Sequence, residues 1–198
     1  IYTRNSHYSY EIKNDIDTIT PKKWPIKGDK FKTLLECLAA VDESLGQVLA
    51  YLEKTGELDN TVIIYSSDNG YFMGEHGYWD KRIAYESSMK IPMLIRYPKK
   101  IKPGTVINKN ALNIDLAPTI LEIAGVEAPK YMQGESMVKL FDDKKDDNWR
   151  ESFMFEYYVD DAYPYAGPNM LAIKSDKYKL VDAFLENDID ELYDLEND

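Results

Sequence analysis

The chain has 198 residues, 24 of them Lys or Arg against 35 Asp or Glu, for a formal charge of −11 at pH 7. With 44% apolar and 30% charged residues it has the composition of a globular chain of one or two domains rather than a disordered one. The acidic balance argues against a nucleic-acid binder, the single cysteine excludes a disulfide framework or a Cys-rich zinc site, and no apolar run approaches the roughly 18 residues that cross a membrane.

Residues 1–27 are polar and Tyr-rich, carry Pro21 and Pro25, and show no periodicity. They read as extended chain or loop. The chain begins at Ile1 rather than Met, so the natural N-terminus is expected upstream. From Gly28 the pattern changes. Phe31, Leu34, Leu35, Leu38, Val41, Leu45, Val48, Leu49 and Leu52 recur at three- and four-residue steps. That spacing predicts a long amphipathic helix ending near Gly56, with Cys37 in its core. Thr61–Ser66 is a short β-branched run without alternation, which predicts a strand buried on both sides, as in a parallel sheet. A Gly-punctuated loop follows, through Gly70, Gly74 and Gly77. A short helix is expected over Tyr85–Lys90, and a second buried strand over Met93–Tyr97, between Pro92 and Pro98. Asp115–Ala124 reads as a helix with Pro118 in its first turn and Gly125 past its end. Asp142–Asp147 has no apolar residue and reads as a linker. Phe153–Tyr158, Leu171–Lys174 and Tyr178–Val181 predict a small antiparallel sheet.

Charge is segregated. Lys81, Arg82, Lys90, Arg96, Lys99, Lys100, Lys102 and Lys109 face one acid, Glu86, between 81 and 109, whereas the region from 142 onward is strongly acidic. A basic middle suits an anion handled there, but charge alone favours two solvated faces.

The loop after the Thr61–Ser66 run carries the chemistry. Open α/β sheets bind ligands in loops beyond the carboxyl ends of their strands. Asp68 and Asn69 are adjacent hard oxygen donors, suited to Ca²⁺ or Mg²⁺ more than to Zn²⁺. Asp-Asn-Gly is also a strong turn signal, and on its own the turn is favoured. Lys81 can set a point charge on an anionic oxygen. His76 can donate a proton or hydrogen bond to a leaving group. Taken singly, each reads equally as a solvated lysine and a histidine that ties down a loop.

Together these residues resemble a known family. Ser67-Asp68-Asn69-Gly70-Tyr71-Phe72-Met73-Gly74-Glu75-His76-Gly77-Tyr78-Trp79-Asp80-Lys81-Arg82 closely resembles the second half of the sulfatase signature. The likeness continues through Val41-Asp42-Glu43, Tyr85-Glu86-Ser87-Ser88, Asp115-Leu116-Ala117-Pro118-Thr119, Met132-Gln133-Gly134, Ser175-Asp176-Lys177-Tyr178-Lys179-Leu180 and Glu191-Leu192-Tyr193-Asp194-Leu195. It covers residues 28–198.

The resemblance implies an alkaline-phosphatase-like α/β sheet flanked by helices, of which this chain holds the C-terminal portion, plus a small C-terminal antiparallel α+β subdomain. The expected division is 1–145 for the catalytic part and 146–198 for the subdomain. It implies hydrolysis of sulfate esters, with sulfated carbohydrate the preferred class, by a formylglycine beside one Ca²⁺. Asp68 and Asn69 would be metal ligands. Lys81 would be catalytic and bind the sulfate with Arg82, and His76 would be a second catalytic group. Export to the periplasm or the cell exterior is likewise implied. The family nucleophile motif is Cys or Ser, any residue, Pro or Ala, any residue, Arg. Cys37-Leu38-Ala39-Ala40-Val41 has Val where Arg is needed, and no serine fits. The nucleophile and the remaining metal ligands are therefore expected upstream, and the isolated chain is expected to be inert. Its partners would be a sulfated small molecule or glycan, and the missing N-terminal part or a second copy, with neither nucleic acid nor membrane.

Two other readings stand beside this one. A phosphate or phosphonate ester hydrolase of the same superfamily would use two Zn²⁺ and several His, of which the chain has His7 and His76. A non-catalytic module binding sulfated glycans would use the basic stretch 81–109. The aromatics Phe153, Phe155, Tyr157, Tyr158, Tyr163 and Tyr165 read as core of the small sheet before sugar-stacking faces, with Glu156 and Tyr158 weak candidates for substrate contact.

Overall fold

A computed structural model describes residues 28–141, 148–158, 169–183 and 190–197. Helix α1 spans Gly28–Lys54, where the apolar stripe predicts it, and the chain turns at Gly56 with φ +73°. Leu34, Leu45, Leu49 and Leu52 are half-buried, while Leu35, Leu38, Val41 and Val48 are exposed. Cys37 is exposed too, which corrects its expected place in the core. Helical periodicity finds the stripe, but a stripe becomes core only where another element covers it.

Strand β1 (Ile63–Ser66) pairs with β4 (Met93–Arg96) in antiparallel register, Ile63 opposite Arg96 and Ser66 opposite Met93. The parallel, doubly buried strand expected here is not what forms: all four β1 residues are half-buried and Leu94 is exposed. An Ile-rich run without alternation cannot distinguish the two pairings. The decision lies in the connection. It folds back through short pieces instead of one long crossover helix. Arg96, at the end of β4, then reaches the turn that starts β1, donating to the Leu58 carbonyl at 2.6 Å and to Asp59 at 2.8 Å. One face of the pair opens on a cavity of about 420 Å³ lined by Leu45, Leu49, Ile63, Met93, Met137 and Phe141, among others.

Between β1 and β4 lie β2 (Phe72–Met73) and β3 (Trp79–Asp80), a two-residue ladder, and α2 (Glu86–Met89). Helix α3 (Leu116–Ile123) has Pro118 in its first turn and ends before Gly125, φ +72°, as expected. Four strands form the antiparallel sheet: β5 (Ser152–Tyr157), β6 (Met170–Ser175), β7 (Tyr178–Ala183) and β8 (Glu191–Asp194), in that order. The expected linker at Asp142–Asp147, and Tyr163 and Tyr165, lie outside the described residues.

Two cores hold these pieces. Met137, Leu140, Phe141 and Trp149 are buried, with Met93, Ile95 and Tyr97 of the β4 segment and Leu116 and Ile123 of α3 packed on them. Phe72, Tyr78, Ile83, Ala84 and Tyr85 from the loop region are buried with Met170, Ala172 and Val181 from the four-stranded sheet. Phe155 and Tyr157 pack against this second core, as expected, whereas Tyr158 is exposed. The loop carrying Asp68 to Arg82 is thus packed directly on the sheet.

Candidate active site

The loop leaves β1 at Ser66 and tightens at once. Asp68 Oδ1 accepts from the Asn69 backbone N–H at 2.9 Å and from the Ser67 hydroxyl at 3.2 Å. Backbone hydrogen bonds, Asn69's first among them, hold the exposed Asp68 carboxyl below the usual carboxylate range, with Ser67 adding to the effect. It is therefore an anion at any pH near neutrality. Asn113 Nδ2 donates to the Asp68 carbonyl at 2.8 Å and fixes the backbone from outside the loop.

Lys81 Nζ donates to Asn69 Oδ1 at 2.9 Å, so β3 brings a cation back across twelve residues to the Asp68–Asn69 turn. Asp68, Asn69 and Lys81 therefore stand together. Arg82 is close in sequence but differently engaged: its guanidinium pairs with Asp80 at 3.2 Å and its N–H donates to Ser88 Oγ at 3.1 Å. His76 is engaged through its ring. Its imidazole packs on Tyr85, centroids 5.3 Å apart, and is exposed.

The loop is held in a costly shape. His76, Asp80 and Arg82 have φ of 53°, 80° and 95°, a region that L-residues with side chains rarely occupy. Such strain persists only where surrounding contacts over-determine it, and it gathers at functional sites. Gly70 shows how tightly the loop is braced. A Cβ there would lie 2.2 Å from the Ser87 carbonyl oxygen, and Gly70 N–H donates to the Ser88 carbonyl at 2.8 Å.

A second node steadies Asn113. Asp115 is fully buried and accepts from Leu112 N–H at 2.7 Å and Glu135 N–H at 2.8 Å. Both terminal guanidinium nitrogens of Arg150, Nη1 and Nη2, donate to the same carboxylate, Nη2 at 2.6 Å. Gly134 approaches here so closely that a Cβ would meet the Ile114 carbonyl oxygen at 1.9 Å. This accounts for two matched motifs, Asp115-Leu116-Ala117-Pro118-Thr119 and Met132-Gln133-Gly134, as one packing junction. Asn113 itself carries no signal in the sequence, because its partner is 45 residues away.

Chain comparisons place this loop in a family. Residues 1–126 match the family model described as Sulfatase, and residues 74–198 match N-sulphoglucosamine sulphohydrolase, C-terminal. The chain belongs to the sulfatase family. The N-acetylglucosamine-6-O-sulfatase of Bacteroides thetaiotaomicron is 43% identical over 170 residues, 83% of this chain and 30% of that protein. The human N-acetylglucosamine-6-sulfatase is 40% identical over 163 residues, 78% of this chain and 29% of that protein. The chain spans less than a third of the length of both relatives. A solved structure described as a complex with its substrate D-glucosamine-2-N,6-O-disulfate superposes with a TM-score of 0.76 at 41% identity, over 80% of this chain and 32% of that one. A phosphonate monoester hydrolase from Silicibacter pomeroyi superposes with a TM-score of 0.69 at 28% identity, over 79% of this chain and 33% of that one. The fold of this sulfatase-family chain is accordingly the alkaline-phosphatase-like α/β type with an antiparallel C-terminal sheet.

The donor chemistry of the Asp68–Asn69 turn fits a hard cation. An ionised, exposed carboxylate and an amide oxygen are adjacent, and the amide is oriented by Lys81. Two oxygens alone are too few for calcium, which takes roughly six to eight. Among the described residues no group of three or more His, Cys, Asp or Glu converges on one point.

Proposed function

We propose that this chain serves the hydrolysis of sulfate esters on a glucosamine-type carbohydrate, as part of a sulfatase active site. The observation that carries the reading is the contact of Lys81 Nζ with Asn69 Oδ1 beside the ionised Asp68, which sets a cation against a pair of hard oxygen donors. Support for the substrate class comes from the relatives, named as N-acetylglucosamine sulfatases at 40–43% identity, and from the neighbour bound to a disulfated glucosamine.

In this reading Asp68 and Asn69 hold one Ca²⁺. The ion, when bound, polarises the sulfuryl group and neutralises charge on its oxygens. Lys81 binds a sulfate oxygen and stabilises the charge that develops there. Arg82, held by Asp80, contacts the substrate beside Lys81. His76 donates a proton or hydrogen bond to the leaving oxygen. The formylglycine nucleophile expected from the family signature has no counterpart here, and Cys37 lies exposed on α1 without the arginine that signature requires. The 198-residue chain alone is then catalytically silent.

The test is turnover of N-acetylglucosamine 6-sulfate by the intact gene product, with metal analysis. Hydrolysis with one Ca²⁺ per protein and loss on Lys81→Ala supports the reading. The likeness to the phosphonate monoester hydrolase favours a second reading, phosphonate or phosphate ester cleavage. Two bound Zn²⁺ and preference for a phosphonate monoester would establish it instead.

A further inference from the structure

A closed circuit of bonds surrounds the Asp68–Asn69 turn. Asn69 Oδ1 accepts from Lys81 Nζ, and Lys81 is joined through the chain to Arg82. The Arg82 N–H donates to Ser88 Oγ, and the Ser88 carbonyl accepts from the N–H of Gly70, the residue after Asn69. Ser88 thus touches both shoulders of the Asn69–Lys81 contact. It is buried, and it lies on α2, a helix of four residues too short to hold its own place.

What fixes α2 comes from the four-stranded sheet. Lys174 Nζ on β6 donates to both oxygens of Glu86, each at 2.8 Å. Lys179 on β7 is 4% exposed and stands 3.7 Å from the same carboxylate. Its ammonium also sits 5.5 Å above the Tyr85 ring and 5.0 Å above the Tyr193 ring. Beside it, Tyr85 donates its hydroxyl to Glu191 on β8 at 2.9 Å, and Tyr193 donates to Glu191 at 2.5 Å. Two lysines thus close on the one Glu86 carboxylate, and one of them, Lys179, is held in addition by two aromatic rings. Ser87 and Ser88 of α2 carry that grip toward the loop, Ser87 lying against Gly70 and Ser88 bonding Gly70 and Arg82.

We propose that Glu86 is a positioning residue: gripped by Lys174 and Lys179, it fixes α2 and, through Ser88, sets the spacing of Asn69 and Lys81. The four-stranded sheet is then part of the active-site machinery without touching substrate. The inference rests on the sulfatase reading for its catalytic consequence, but the mechanical link can be read without it.

The experiment uses the intact gene product with Glu86→Gln, Lys174→Met and Lys174→Arg. Backbone hydrogen exchange at Gly70 and Arg82 reports the two shoulder bonds, and exchange at Ala124, bonded to the Ile120 carbonyl at the end of α3, is the control outside that linkage. Glu86→Gln and Lys174→Met should speed exchange at Gly70 and Arg82 by about tenfold and leave Ala124 unchanged, while Lys174→Arg, which keeps the positive charge and can donate to both carboxylate oxygens, restores protection. On N-acetylglucosamine 6-sulfate the first two variants should lower kcat about tenfold with KM within about twofold. Equal acceleration at all three amides, or none at Gly70 and Arg82, overturns the proposal. So does an unchanged kcat in a wild-type-active enzyme. If the wild type cleaves no sulfate ester, the sulfatase reading fails by itself, and the exchange data alone decide the role of Glu86.

Discussion

Lys81 is one lysine in a basic stretch, and its neighbours show why it differs. Lys99 Nζ donates to Asn60 Oδ1 at 2.7 Å on the exposed surface, whereas Lys81 is half-buried and directed at Asn69. A fixed cation aimed at developing charge contributes far more than a screened surface one. Lys81→Met should therefore lower kcat of the intact enzyme about 10²- to 10³-fold while thermal stability changes little. A loss under about fivefold in steady-state kinetics would remove Lys81 from the chemistry. Asp115 is the opposite case. It bears no proposed role in chemistry, yet one buried carboxylate satisfies Arg150 and two backbone N–H groups. Asp115→Ala leaves two backbone donors unpaired and deprives the largely buried Arg150 guanidinium of its carboxylate, leaving it the Asn110 carbonyl and the Trp149 ring, and should cost about 3–5 kcal/mol of unfolding free energy. Denaturant titration measures it, and a cost below about 1 kcal/mol would mean that water replaces the carboxylate.

Elements differ in how far the sequence announces them. Helix α1, α3 with its Pro118 and Gly125 punctuation, and β5 to β7 follow from periodicity and breakers, because those signals are local. The direction of the β1–β4 pairing does not. It depends on a fold-back of the intervening chain and on Arg96 reaching Leu58 and Asp59, contacts between residues nearly forty positions apart. Strand β8 carries no such signal for a related reason: Glu191-Leu192-Tyr193-Asp194 is too short and acidic to read as a strand, and Glu191 is tolerated because two phenols donate to it. The candidate site divides in the same way. Asp68, Asn69 and Lys81 are legible as a contiguous motif, whereas Asn113, Glu86 and Ser88 take their roles from long-range contacts.

The grip on α2 also has a pH signature. Burial pushes the Glu86 carboxyl up, but the Lys174 hydrogen bond and the charges of Lys174 and Lys179 outweigh it, so its pKa lies below the ordinary value of 4.5. A carboxyl depressed in the folded state stabilises above its unfolded pKa, and that stabilisation is lost as pH falls through the folded value. Wild type should therefore melt above Glu86→Gln at pH 7, and the gap should close as the pH is lowered below about 4.5. Burial lowers the pKa of Lys179, Glu86 notwithstanding, so its charge is carried at a cost. That cost is greatest below the folded value and relaxes as pH rises toward 10.5. A Glu86→Gln gap that stays constant from pH 7 to pH 3 would show that shape, not charge, holds α2.

At the scale of the whole molecule the apolar surface is distributed unlike that of a self-sufficient domain. On α1, Leu35, Leu38, Val41, Val48 and Tyr51 are exposed, beside the apolar cavity under β1 and β4. Across the outer face of the four-stranded sheet, Met154, Ile173, Leu180 and Leu192 stand directly opposite one another and form a second exposed row. Contiguous exposed apolar surface on this scale drives association. A net charge of −11 opposes it over long range but is screened by salt. The 198-residue chain expressed alone should therefore self-associate, and more so as salt rises, because screening removes the repulsion and leaves the apolar contacts intact. Sedimentation velocity at low and high salt measures this directly. Val41→Glu with Val48→Glu on α1, and separately Ile173→Glu with Leu180→Glu on the sheet, identify which face is responsible. A monodisperse monomer at both salt concentrations would show that neither face is sticky in solution. The chain would then keep its 420 Å³ cavity open without help, and its exposed stripes would be compatible with independent folding.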